Sequence, residues 1–448
     1  MEDNIECSEE EFQDVFFFKK TLRIIKDRLK NIDKSVFLNY LLDNVFFLYI
    51  DVPQHQAPKV FSMMNGSKAQ MLPEEIIKAE ILRLASMSQD DHPPMTQEWE
   101  SNMLRSRYAR EWDKWLHWWN RPDVQQMYRC DNIMGLLVVS CLLNKKKEVL
   151  TFENFRDKYL KQGRSIEAKQ VFDMLRRLQK RFEDAFNDPI AHNKIGAILR
   201  IMDKDNRQKF INYYFVEEKY TPLSKRVALD NYYKLAFLGM THDEIEDFKK
   251  EKYEEKYAIS LNAICDDMIY LNNREFAFRF LLRLNIDEDN KQNGGCGRVF
   301  DFSIWDEERS LEHVYPKSKV GHAVDGKENV FAGGDGIERP YDYFDCFRDD
   351  IRRVDGTEST TEHSIGNLVL LYGRDNSSFG NSSFEEKKGY FFDTSKKNIF
   401  KSRHLLHSIY IFAHSEWLPS DIAENKALIV SNFESDYEVF NKSISYEE

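Results

Sequence analysis

A chain of 448 residues is too long for one hydrophobic core, so two or three domains are expected. Apolar residues at 42% and aromatics at 14% suffice for globular packing, and no apolar run reaches the roughly 20 residues that a membrane helix needs. The net charge of −12 argues against a protein that coats nucleic acid non-specifically, but a nuclease needs only a local basic surface.

The opening residues, MEDNIECSEEEFQD, are acidic where a secretory signal is basic, so a cytoplasmic protein is expected. Residues 9–50 read as helices, since EEEFQDVFFFKKTLRIIKDRL repeats its apolar residues at helical spacing. NVFFLYIDV (44–52) has the composition of a strand closed by Pro53. LPEEIIKAEILRLAS (72–86) places a proline at a helix start, acids in the first turn and an apolar stripe after them. SQDDHPPMTQ (88–97) reads as a linker, and from 98 to about 285 the chain reads as helical.

Within that span IMGLLVVSCLL (133–143) predicts a buried helix. Trp112, Trp115 and Trp119 fall on one helix face, where core packing is favoured over stacking on bases. FKKEKYEEKY (248–257) reads as a solvated helix face. NKQNGGCGR (290–298) marks the next boundary, beyond which short strand-like runs, glycines and turns take over. Cys7, Cys130, Cys141, Cys265, Cys296 and Cys346 lie far apart and form no C-x-x-C, which points to free thiols. The stretch 385–403 interleaves lysines and arginines with Tyr390, Phe391, Phe392 and Phe400; it reads equally as a nucleic-acid surface or as a helix edge with buried aromatics.

The chemistry gathers near the C-terminus. RSLEHVYP reads as a strand ended by Pro316, and SIGNLVLLY as a second strand. GRDNSSFGNSSFEEKK then passes from turn residues into helix-tolerant sequence. Strand, long loop, strand, helix, with a histidine on the first strand and an asparagine on the helix, suits a one-metal nuclease. Phosphodiester hydrolysis needs a base to activate water and a hard cation on the phosphate. Histidine titrates near 6.5 and can be the base; a carboxylate and an amide suit Mg²⁺ while leaving room for water and phosphate.

These residues resemble the HNH, or His-Me finger, nucleases: Glu312-His313 with Pro316, then Asn367-Leu368, then Asn376 nine residues on. Tyr372 and Asp375 stand where many members carry zinc-binding cysteines, so no structural zinc is expected. The resemblance implies that His313 is the general base, that Glu312 and Asn376 hold a single Mg²⁺ or Mn²⁺, and that Asn367 orients His313 or its strand. His363 is a candidate phosphate contact or a turn residue. Lys387 is a candidate phosphate contact or a helix-surface residue, the latter being favoured. His322 is expected to have no chemical role, and His404, His407 and His414 to serve packing.

FDFSIWDEERSLEHVYPKS, IGNLVLLY and NSSFGNSSFEEKK are similar to the C-terminal domain of GmrSD-type modification-dependent restriction enzymes. APKVFSMMNGSKAQMLPEEIIKAEIL (57–82), with Ala57, Phe61, Asn65 and Leu72, resembles the back half of the family's first domain, whose D-G-Q-Q-R half is absent. HNKIGAILRIM and NREFAFRFLLRLNI resemble its helical region. The implied fold is mainly α, with a small α+β (ββα-metal, His-Me finger) nuclease domain. The implied segments are a partial first domain at 1–90, a helical domain at 91–294 and the nuclease domain at 295–448, with residues 317–362 inserted between the two strands. The implied function is a metal-dependent DNA endonuclease acting against foreign or modified DNA. The implied partner is a second subunit that carries the nucleotide-binding half and any NTP, or another copy of this chain; no membrane is involved. A non-catalytic sensor or scaffold subunit, and an RNase on the same fold, are the alternatives.

Overall fold

The computed structural model of the protein describes residues 13–30, 32–46, 51, 72–87, 94–129, 151–216, 222–347, 360–393 and 400–444. Most of the strand expected at 44–52, the helix expected at 133–143, and Ala57, Phe61, Asn65, Cys7, Cys130 and Cys141 lie outside the described residues. The chain is mainly helical with small sheets near its C-terminus. No helix among the described residues is long and apolar enough to cross a membrane. The chain forms two compact units, Met1–Glu183 and Asp184–Glu448. The stretch 91–294 is thereby divided between them.

The first unit is built from helices that follow its punctuation. Asp33 caps Lys34–Asn44 by accepting from the amides of Ser35 and Val36 at 2.8 and 3.2 Å. Pro73 and Pro122 stand at first helical positions, where no amide is needed. Trp112, Trp115 and Trp119 of the helix Pro94–Trp119 are all buried. Trp119 donates its indole N–H to Gln179 at 2.7 Å, and Tyr128 donates to the Phe182 carbonyl at 2.7 Å. The tryptophan face is therefore core, with no ring left to stack on a base. On Gln13–Arg28, on Lys34–Asn44 and just after it, Phe18, Val36, Tyr40, Leu42 and Phe46 are exposed.

The second unit begins with capped helices: Asp188 caps Pro189–Ile201, Asp203 caps Lys204–Ile211, and Thr241 forms a capping box on His242–Glu246. Gly196 lets Phe302 press on Pro189–Ile201, since a Cβ there would lie 2.3 Å from the Phe302 ring. Arg283, on the helix Arg274–Gly295, is buried yet satisfied. It donates to Tyr437 at 2.8 Å, to Asp436 at 2.5 Å and to Asp287 at 3.3 Å, which offsets the cost of taking its charge out of water.

The two strands expected around the Glu-His pair are present. β1 (Arg309–His313) pairs antiparallel with the later strand Leu368–Tyr372, placing Glu312 opposite Val369 and His313 opposite Leu368. Every residue of Leu368–Tyr372 is buried, so both its faces and its far edge must be covered. Ser402 accepts from the Tyr372 amide at 3.0 Å and Ser408 donates to the Leu370 carbonyl at 2.9 Å, standing in for a third strand. Val314, Val369, Leu371, Phe379, Phe391 and Phe412 form the adjoining core. Gly366 permits a close approach of the helix Pro419–Ile444: a Cβ would lie 2.2 Å from the Ile422 carbonyl oxygen.

The inserted stretch after β1, read as a loop in the sequence, forms a small sheet instead. Its strands are β2 (Val320–Ala323), β3 (Phe331–Ala332), β4 (Glu338–Arg339) and β5 (Cys346–Phe347), in the order β4-β3-β2-β5. Leu368–Tyr372 is therefore β6. Three of the inserted strands are only two residues long, too short for alternation to register.

His407, on the helix Leu406–Phe412, has the packing role expected of it and brings a pH dependence. It is buried, and its Nε2 has no hydrogen-bond partner among the described residues. Burial pulls its pKa down from 6.5 to about 4. Between those values the unfolded chain binds a proton that the folded chain refuses, so stability falls as pH falls through that window. The contribution totals roughly 3 kcal/mol. His407→Leu is expected to flatten urea-derived stability against pH between 6.5 and 4; an unchanged slope would show that this imidazole is not held neutral.

Candidate active site

β1 ends at His313, and the residues around it arrive from four separate parts of the chain. His313 Nε2 lies 3.1 Å from His363 Nδ1. Tyr270 crosses the His313 ring edge-on at 4.3 Å and stacks on His363 at 5.6 Å with an interplanar angle of 13°. Tyr270 belongs to the short helix Ile269–Asn272, whose backbone donates from Tyr270 N to the His363 carbonyl at 3.2 Å. Thr361 also donates to the Asp267 carbonyl, fixing the same segment.

A second Glu-His pair, Glu362-His363, continues the cluster. Glu362 Oε1 lies 3.5 Å from His363 Nε2 and 2.7 Å from His322 Nε2. His322, on β2, is thus joined to the cluster through Glu362 rather than standing apart. Burial pushes the Glu362 carboxyl up, but the His322 hydrogen bond and the adjacent His363 outweigh it and hold the group below the ordinary carboxylate value. His313 is held well below 6.5, first by burial and then by the positive fields of His363, Lys317, Lys387 and Arg274. It is therefore neutral near pH 7 and able to accept a proton. His363 engages Nε2, so Nδ1 is the ring nitrogen outside that contact.

Glu312 has a different surrounding. Its carboxylate lies 2.5 Å from Lys387 Nζ, which also donates to the His313 carbonyl at 2.6 Å. Burial raises the Glu312 carboxyl, with Lys387 and Lys317 opposing the rise; burial also lowers Lys387, opposed by Glu312. Lys387 is 1% exposed and so is not the helix-surface residue favoured from the sequence. Its ammonium is aimed inward because the helix Phe384–Phe392 turns that face onto β1. Both of its polar contacts are internal, which removes it as a ready phosphate contact. His363 is likewise buried and positioned against His313.

Asn367 is fully buried and makes four hydrogen bonds. It accepts from Tyr315 N at 2.7 Å and from Trp417 Nε1 at 3.2 Å, and it donates to the carbonyls of Tyr315 at 3.0 Å and Glu362 at 2.9 Å. It thereby ties the segment after His313 to the segment before His363. Asn376, on the helix Gly373–Phe379, donates to Ser310 Oγ at 2.6 Å. Ser310 and Glu312 are two apart on β1 and share a face, so Asn376 sits on the Glu312 side of the strand. Tyr372 bonds with Ser303 at 2.6 Å, and Asp375 accepts from the Ser402 amide and hydroxyl at 2.7 and 2.6 Å.

Among the described residues, no three or more His, Cys, Asp or Glu side chains form a group that could hold a metal. A carboxylate with an amide is a smaller oxygen set of another kind. Sequence reasoning misses Glu362 and Tyr270 and gives His322 no chemical role. The one available signal is the repetition of the Glu-His dipeptide at 362–363, fifty residues after the first.

No curated protein and no solved structure matches the chain. A family model does: residues 254–431 match the GmrSD restriction endonucleases, C-terminal domain, a span that contains β1, β6, both Glu-His pairs, Asn367, Asn376 and Tyr270. Over those residues the chain carries a C-terminal domain of the GmrSD restriction endonuclease family.

Proposed function

We propose that this chain is a metal-dependent DNA endonuclease of a restriction or anti-phage system, of the HNH type, with His313 as the general base. The observation that carries the reading is the neutral, buried His313 at the end of β1, fixed by His363 and followed after β6 by the helix that bears Asn376. In this reading water loses its proton to His313 Nδ1 as it attacks phosphorus, the P–O bond to the leaving sugar oxygen breaks, and that oxygen takes a proton from solvent. His363 steadies the ring through Nε2, and the negative Glu362 beyond it favours the imidazolium as it forms. Asn367 holds both histidine segments in register.

The donor chemistry fits one hard divalent ion. Glu312 and Asn376 offer a carboxylate and an amide oxygen from the same side of β1, as Mg²⁺ or Mn²⁺ prefers. Lys387, close on Glu312, already offsets part of that carboxylate's charge, which favours weak and exchangeable metal binding over a tight structural site. When bound, such an ion supplies charge neutralisation at the scissile phosphate.

Cleavage of plasmid DNA should require Mg²⁺ or Mn²⁺ and stop with EDTA, and Glu312→Ala or Asn376→Ala should raise the metal concentration for half-maximal rate. Undiminished cutting in EDTA, or cutting confined to RNA in a parallel panel, would overturn the reading. The exposed Phe18, Val36, Tyr40, Leu42 and Phe46 support a partner on the first unit, since such apolar side chains are costly to leave in water. We assign that partner as the subunit with the nucleotide-binding half or as a second copy of this chain. Co-purification from the native host checks it.

A further inference from the structure

We propose that Arg274 and Lys317, both gathered at the Tyr270 ring, form a phosphate clamp that holds the backbone of the DNA strand beside His313. The proposal rests on placing DNA cleavage at His313, and its test separates the two. Arg274 opens the helix Arg274–Gly295, while Lys317 follows Pro316 in the turn Lys317–Lys319, so two distant segments deliver a cation to one ring. The Arg274 guanidinium carbon lies 5.1 Å from the Tyr270 ring centre and the Lys317 ammonium 5.7 Å from it. The same ring lies 4.3 Å from that of His313.

The surrounding cations are neutralised by acids. Lys387 pairs with Glu312, Lys426 with Asp267, Arg309 with Glu275, Lys319 with Asp345 and Arg339 with Asp335. Arg274 and Lys317 differ: among the described residues neither forms an ion pair within 4.0 Å, and Lys317 acts on Glu312 only through its field while Lys387 holds that carboxylate. Arg274 also lies over Phe278 at 5.6 Å, another aromatic face rather than an acid. Arg274 is exposed and Lys317 half-buried, so an incoming phosphate can reach both.

Two like charges gathered on one ring repel each other, and Tyr270 offsets this only in part through its electron-rich face. An anion between them removes the repulsion. A phosphodiester fits, because guanidinium binds phosphate oxygens in a planar fork and ammonium acts as a point charge. Tyr270 also sets the position of the clamp, at a fixed distance from the His313 ring that it packs against. This clamp takes the phosphate-contact role considered for His363 and Lys387, both of which are buried.

The test uses the full chain carrying His313→Ala, chosen because it should cut far more slowly, and a short fluorescent DNA duplex read by anisotropy over a KCl series. Adding Arg274→Gln or Lys317→Gln should weaken binding and reduce the slope of log affinity against log salt by about one each. Lys327→Gln, which removes a cation paired with Glu338, should leave the slope unchanged. Arg274→Lys should recover most of the slope but less of the affinity. If the double variant Arg274→Gln with Lys317→Gln binds with the unaltered slope, the clamp is wrong whatever the enzyme does. If the slopes fall as expected while the unsubstituted protein cuts no DNA, the clamp stands and the hydrolytic reading of His313 fails.

Discussion

His313→Ala is expected to lower DNA cleavage by about 10²–10⁴-fold, the usual contribution of a positioned general base. The loss should fall on kcat, because the imidazole is buried behind Tyr270 and His363 and contributes little to holding DNA. Circular dichroism and the melting midpoint should change little, since the neighbouring rings keep their own anchors: Tyr270 through the His363 carbonyl, and His363 through Glu362. Glu362→Gln should give a smaller loss with the same signature, because it removes the negative charge beyond His363 and leaves the geometry in place. Equal rates for the unsubstituted protein and His313→Ala would end the proposal for this site.

The second large effect is on folding. Asn367→Ala should destabilise the second unit by about 3–5 kcal/mol, measured by urea denaturation. The side chain is fully buried, and its four hydrogen bonds reach Tyr315 twice, Trp417 and Glu362. Each deleted bond leaves a buried donor or acceptor unpaired, at about 1 kcal/mol or more apiece. Asn367→Asp keeps the acceptor but loses both donors, so it should recover the contacts to Tyr315 N and Trp417 only. A loss below about 1 kcal/mol for the alanine variant would mean that water replaces the amide and that the position is less constrained than its contacts imply. Because the same amide joins the segments carrying His313 and His363, the folded fraction of Asn367→Ala should also cut DNA slowly.

What could be read without a structure was local. RSLEHVYP and IGNLVLLY are long enough, and rich enough in branched and aromatic residues, to declare themselves strands, and they pair as β1 and β6. Proline and acid placement located the helix Pro73–Ala85, and the tryptophan spacing located a core face. Those signals sit within one turn or one strand, where propensity and periodicity act. The partners of the site do not. Tyr270 lies 43 residues before His313 and Glu362 forty after His322, and no periodic signal spans such distances. Lys387 shows the limit most clearly. A lysine on a charged helix is ordinarily solvated, so its sequence context pointed outward. Only the packing of that helix against β1 placed its ammonium on Glu312 and the His313 carbonyl, where a buried carboxylate needs a cation. The sequence therefore determined which residue types stand at the proposed site on β1, β6 and the following helix, because those are set by motif spacing. Tertiary structure decided which charges face one another, because burial and Coulomb interaction depend on distances that the order of residues does not contain.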